Sequence, residues 1–305
     1  MKRVGILRGG PKGDYYASLR EGGNIIAHIF ENLAEKWKVT DIFIDKNGAW
    51  HLGGIEIEPS LIPDKVDLVW NTAHHSLADI LNSLSIPNIN ISSFTILLRN
   101  DPEVLAEHIK NFDLKMPKKI VLPPYQEDFD GPLDLYIARK AREVLGKFSA
   151  PWIIKTFTFD ASMGVHLAKT FPELKNAIED GVKHQKSILI EEFIYGKNID
   201  VHSVSGFRGE NIYVFPCLPD RQTPSNFLKE EKEKIIQLAK NLHKHLEVEH
   251  YLKSSFILHP KRGIFITNMS FSPDLAEDSH FHQVCESVGA KAHQVIEHIL
   301  EKALR

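Results

Sequence analysis

Residues 151–165, PWIIKTFTFDASMGV, and residues 188–201, ILIEEFIYGKNIDV, set the fold expected of this chain. PWIIK is an apolar run ending on Lys155, the pattern of a buried strand with a cation at its end. Phe159 to Val165, with Ala161, Ser162, Met163 and Gly164 in succession, reads as a small-residue turn leading into another apolar run. Ile188 to Ile190 predicts a second buried strand that delivers Glu191 and Glu192, and Tyr195-Gly196 predicts a turn before the next strand. Together these parts can hold a nucleotide, with ammonium and loop amides on phosphate and a strand edge on the base. A single strand-end lysine is usually a solvated charge, so the order of the pieces carries the inference.

Bulk composition permits this reading. The 305 residues suffice for two or three domains, and 43% hydrophobic residues can fill their cores. A net charge of -3, from 37 basic and 40 acidic residues, leaves no electrostatic footprint for nucleic acid or an anionic membrane. Cys217 and Cys285 are too few for a disulfide framework and lack metal-ligand spacing. The basic start Met1-Lys2-Arg3 precedes an apolar run too short for a signal peptide, and no run reaches the roughly 20 apolar residues of a membrane span. A cytoplasmic protein is expected.

The order of strand lysine, small-residue loop and paired glutamates resembles the nucleotide-binding part of ATP-grasp ligases, specifically the D-alanine-D-alanine ligase family. Lys155 to Val165 fits that pattern without a gap. The resemblance implies that Lys155, Ser162, Met163, Gly164, Glu191 and Glu192 face the nucleotide. Ala161 stands where the family carries a loop serine, and Asn198 where it carries a glutamate for the ribose hydroxyls. Asparagine keeps a hydrogen bond there but not the charge-assisted one.

The N-terminal segment supports the same resemblance. Val4 to Leu7 predicts a strand, followed by the glycine-rich Arg8 to Gly13 and a helix from about Ser18. GxGxxG is absent, so a dinucleotide is not indicated, and the loop suits a sheet-edge turn as well as a ligand. The resemblance places Asp14 at the glutamate that binds the first amino acid's ammonium group, and His74 at a family histidine closing the third strand. Asn100-Asp101 stands where the family has an aspartate-lysine pair, so a carboxylate replaces a phosphate-binding ammonium and would repel polyphosphate. Val214 to Pro219 matches a family strand, but Asp220 to Asn226 is too brief for the mobile lid that follows it in the family.

The metal-binding strands depart most. Tyr251 to Phe256 and Ile264 to Ser270, joined by the turn His259 to Gly263, match the two family strands that carry magnesium ligands. By that resemblance Ser255 replaces an aspartate, Asn268 a glutamate and Ser270 an asparagine, so all three positions are neutral. Lys253 takes the place of an arginine at the reacting centre, keeping the charge but losing the bidentate fork. Ser279 falls at a serine that binds the second amino acid's carboxylate.

The fold implied is α/β: an ATP-grasp fold preceded by a Rossmann-like N-terminal domain. Segments are expected at 1–96 (Rossmann-like), 97–187 (central lobe) and 188–305 (C-terminal lobe). The resemblance implies ATP as cofactor, an amino acid or dipeptide as the small-molecule partner, and a homodimer, while the neutral ligand positions weigh against magnesium. The function expected is a ligase-like protein impaired or inactive in ligation, with a binding or regulatory role. The alternative is an active carboxylate-amine ligase with a rebuilt metal site or another substrate, linked to peptidoglycan precursor synthesis; Asp14, Asp101, Asp160 and Asp274 are its candidate acids.

Overall fold

The computed structural model describes residues 1–11, 15–156, 164–218 and 226–305. These residues cluster into two compact units: 1–114 with 197–258 and 266–305, and 115–196 with 259–265.

The larger unit opens with a six-stranded sheet. Its strands are β1 (Lys2–Gly9), β2 (Trp37–Ile44), β3 (Trp50–Leu52), β4 (Ile55–Glu56), β5 (Leu68–Asn71) and β6 (Asn88–Ile89), in the order β4-β3-β2-β1-β5-β6. β2, β1, β5 and β6 run parallel, and the β3–β4 hairpin adds an antiparallel edge. The apolar run at 4–7 becomes β1 because its residues are covered on both sides, the condition for parallel strands. Gly9 and Gly10 end it with φ of +87° and +104°. A Cβ at Gly9 would collide with the carbonyl oxygen of Ile44, so the glycine is required by contact as well as by dihedral.

Helices α1 (Tyr15–Leu33), α2 (Leu77–Ser83), α3 (Ser93–Asn100) and α4 (Pro102–Ile109) complete this part. The Ser92 hydroxyl accepts from Thr95 N at 3.0 Å to cap α3, and the buried Thr95 hydroxyl donates to Leu246 O at 2.8 Å. Asp101, the carboxylate expected to repel polyphosphate, caps α4: Oδ1 accepts from Glu103 N at 3.0 Å and Val104 N at 3.1 Å.

The smaller unit holds a four-stranded antiparallel sheet of β8 (Lys119–Leu122), β9 (Trp152–Thr156), β10 (Val165–Ala168) and β11 (Ile188–Glu192), in the order β10-β9-β11-β8. The helical turn α5 (Glu127–Asp130) precedes α6 (Leu133–Lys147), and α7 (Phe171–Lys183) follows the sheet's edge strand. The core comprises Ile120, Trp152, Ile154, Ile188 and Ile190 from one sheet face with Tyr136, Ile137, Val144, Leu174 and Ile178 from α6 and α7.

The third sheet contains β7 (Leu114–Lys115), β12 (Lys197–Ser205), β13 (Ile212–Val214), β14 (Tyr251–His259) and β15 (Gly263–Ser270), in the order β13-β12-β14-β15-β7. α8 (Lys229–His245), α9 (His280–Ser287) and α10 (Ala292–Ala303) accompany it. The strand expected over Val214 to Pro219 stops at Val214, because Pro216 has no N–H to donate to a ladder. Ile25 and Ile29 of α1 share one core with Val204 of β12, Phe281 of α9 and Val295 of α10, so the first and last thirds of the chain bury a continuous apolar interior. No helix among the described residues is long and apolar enough to cross a membrane.

Candidate functional site

The smaller unit's sheet has one face under helices and one away from them. Cross-strand partners share a face, which puts Val165, Lys155, Leu189 and Val121 in one row of the helix-free face and Leu167, Ile153, Glu191 and Lys119 in the next. The edge position Val165 is 72% exposed, while Leu189 and Glu191 at the centre are buried. Glu191 takes a different lysine on each oxygen: Lys155 Nζ lies 2.5 Å from Oε2 and Lys119 Nζ 2.8 Å from Oε1. Burial alone would raise the Glu191 carboxyl; Lys119 and then Lys155 outweigh it and hold the group below the ordinary glutamate value. Glu192, on the other side of the strand, accepts from Arg262 Nη1 at 2.6 Å, and this pairing likewise outweighs burial and lowers its pKa.

Two expected nucleotide contacts, Lys155 and Glu191, are therefore brought together, and Glu192 is drawn into a separate ion pair. Gly164, exposed with φ of +73°, leads directly into β10. Ser162 and Met163, with Ala161, lie outside the described residues, as do Asp14 and Asp160.

In the larger unit, β12 and β14 pair antiparallel, with Asp200 opposite Ser255 and His202 opposite Lys253. Lys253 Nζ is 3.3 Å from Asp200 Oδ2, so the cation taken from the resemblance is partnered by an acid that pattern reading did not single out. Ser255 O accepts from the Thr267 hydroxyl at 3.2 Å, Ser270 Oγ donates to Ser272 O at 2.9 Å, and the Asn268 side chain is exposed. Asn198 is exposed on β12 opposite Ile257. Among the described residues no group of three His, Cys, Asp or Glu is placed to hold a metal ion.

Beneath Lys253 runs a buried hydrogen-bonded chain. His280 Nε2 meets the carbonyl of Leu218 at 3.2 Å, His280 Nδ1 meets His202 Nε2 at 2.9 Å, and His202 Nδ1 meets the Tyr251 hydroxyl at 2.6 Å. A carbonyl only accepts, so His280 donates from Nε2; with both rings neutral, His202 then donates from Nε2 to His280 and Tyr251 donates to His202. Burial above all, with the nearby Lys253 cation, pushes the His202 pKa well below the ordinary histidine value.

The remaining predicted residues make local contacts. His74 Nδ1 is 2.9 Å from Ser76 Oγ, and its ring packs on His75 with centroids 3.9 Å apart. Ser279 caps α9, accepting from His282 N at 3.4 Å and donating to Asp274 O at 2.8 Å. Asp274 Oδ1 accepts from Ala276 N at 3.1 Å in a tight turn. Lys119, Arg262, Asp200, His202 and His280 were not found from sequence. For Lys119 the available signal was weak, a lysine pair ahead of the apolar Ile120 to Leu122.

Comparison with known proteins gives this arrangement a context. The family described as "D-ala D-ala ligase C-terminus" matches residues 132–218. The D-alanine--D-alanine ligase of Christiangramia forsetii is 22% identical over 338 residues, spanning 99% of this chain and 98% of that protein. The D-alanine--D-alanine ligase of Oceanobacillus iheyensis is also 22% identical, spanning 99% and 95%. Among solved structures, the D-alanine-D-alanine ligase of Coxiella burnetii superposes with a TM-score of 0.75 at 15% identity, covering 100% of this chain and 95% of that one. The Bacillus anthracis ligase complexed with ATP gives 0.69 at 18% identity, covering 100% and 98%. The similarity extends over almost the whole of both partners, and this chain shares with those ligases the ATP-grasp fold preceded by an N-terminal domain.

Proposed function

We propose that this chain is a nucleotide-binding relative of the ligases in which magnesium-dependent ligation is impaired or lost, so that it serves as a binding or regulatory protein. The donor set Ser255, Asn268 and Ser270 carries this reading. Magnesium bridging phosphates takes hard, usually anionic oxygens. Three uncharged side chains, beside an aspartate already paired with Lys253, do not fit it.

Nucleotide binding is supported independently by the smaller unit, where Lys155 presents a cation amid Val165, Leu167, Ile153 and Val121. A flat apolar surround with an ammonium suits a base and its phosphates. Gly164, Ser162 and Met163 are assigned to the phosphate loop, Glu191 and Glu192 to the base-contacting strand and Asn198 to the ribose. Asp14, His74 and Ser279 are assigned to an amino acid or dipeptide, with Lys253 at its carboxyl end. Residues 1–96, 97–187 and 188–305 are the corresponding domains, in a cytoplasmic homodimer.

The test is ADP release with D-alanine, ATP and magnesium, run beside a calorimetric titration of ATP in EDTA. Binding without turnover is expected, and turnover at rates typical of enzymes, about 1–1000 per second, would sink the proposal. A second reading, an active ligase with an altered metal site or substrate, is favoured by Asp200, whose position opposite Ser255 restores a carboxylate to that face. It requires a measurable carboxylate-amine ligation that Asp200→Asn abolishes.

A further inference from the structure

Lys119 reaches Glu191 from β8, the strand that pairs with β11 on the side away from β9. Two ammonium groups share one carboxylate, each on its own oxygen, while Glu192 is engaged by Arg262. The cluster therefore carries one positive charge more than its acid can neutralise. Exposure decides where that charge is presented. The Lys119 side chain is 15% exposed and that of Lys155 34%, so Lys155 is the cation an incoming ligand meets. A buried carboxylate needs only one cation for its charge. A second, more buried lysine on the same group alters how much of Glu191's charge remains to quench Lys155.

We propose that Lys119 is a positioning residue for the ligand's anionic part: by engaging Oε1 of Glu191 it leaves Lys155 under-neutralised, and so sets this face's preference for a polyphosphate-bearing nucleotide over the uncharged nucleoside. The inference rests on the nucleotide reading of this face and deepens it. Lys119 acts through Glu191 and need not touch the ligand. Without it, Lys155 and Glu191 form a closed neutral pair, and phosphate meets a weaker field. Replacing Glu191 by a neutral isostere in the same variant returns the full charge of Lys155.

The experiment titrates the full chain with ATP and with adenosine, both in EDTA, at low and high salt. It compares the unchanged protein with Lys119→Met, Lys119→Arg and Lys119→Met/Glu191→Gln. Lys119→Met should weaken ATP roughly tenfold at low salt, the scale of one nearby screened charge, and leave adenosine within about twofold of its starting affinity. Lys119→Arg should keep the ATP-to-adenosine ratio, and the double variant should regain it. An unchanged ratio in Lys119→Met overturns the proposal. So does equal weakening of both ligands, which makes the lysine a strut of the sheet. If the unchanged protein binds neither ligand, the nucleotide reading itself falls and takes this inference with it, an outcome distinct from the other two.

Discussion

At the scale of single residues, Asp101, which the resemblance sets where the ligases carry a lysine, shows why a change of charge sign is an incomplete description. Read against a phosphate it is repulsive, yet its carboxylate satisfies two otherwise unpartnered amides at the start of α4. Asp101→Ala should therefore cost about 1 kcal/mol in a urea unfolding measurement, and Asp101→Asn much less, because an asparagine oxygen caps nearly as well. A purely repulsive aspartate would instead leave stability unchanged on removal. Lys155 and Glu191 were legible as site candidates because they sit at the ends of runs whose periodicity is unmistakable. Their mutual contact was not legible, since it depends on the register of β9 against β11.

At the scale of elements, the β12–β14 pair carries Asp200, His202, Tyr251 and Lys253 on one face. The Tyr251–His202–His280–Leu218 chain ties both strands to the first turn of α9 and to the segment after β13. Its direction allows a sharp test. Tyr251→Phe removes the hydroxyl proton that satisfies His202 Nδ1 and leaves that nitrogen buried, which should cost about 1–3 kcal/mol in denaturant unfolding. A loss well under 0.5 kcal/mol, the usual limit for changes away from such features, would show that the chain contributes little to holding these strands. None of this was predictable from His202 or His280 taken singly. Each histidine lies in an unremarkable stretch, and strand pairing and helix packing make them neighbours.

At the scale of the molecule, several histidines are buried in neutral form. His28, His243 and His250 are each pushed down to about 4, chiefly by burial, and His202 lies well below the ordinary value. His28 Nε2 and His250 Nδ1 are buried with no hydrogen-bond partner among the described residues, so a proton there has nothing to stabilise it. The sign follows from linkage: the unfolded chain binds these protons near the ordinary value of 6.5 and the folded chain does not, so stability rises with pH. It should be fully present above about pH 6.5 and fall by about 1.4 kcal/mol per pH unit for each such group as pH drops toward about 4. Urea midpoints between pH 7.5 and 5 measure this, and a flat profile would mean that these side chains are hydrated in solution.

By itself the sequence determined the succession of strands and helices, the resemblance to the ligases and the neutral character of Ser255, Asn268 and Ser270. Those properties are written in local periodicity, in motif order and in the covalent identity of side chains. The tertiary structure alone decided how charge is distributed: Lys119 and Lys155 on Glu191, Arg262 on Glu192, Asp200 on Lys253, and the two histidines on each other. Electrostatic and hydrogen-bond energies depend on distance through space, and folding sets that distance between groups that the chain holds far apart.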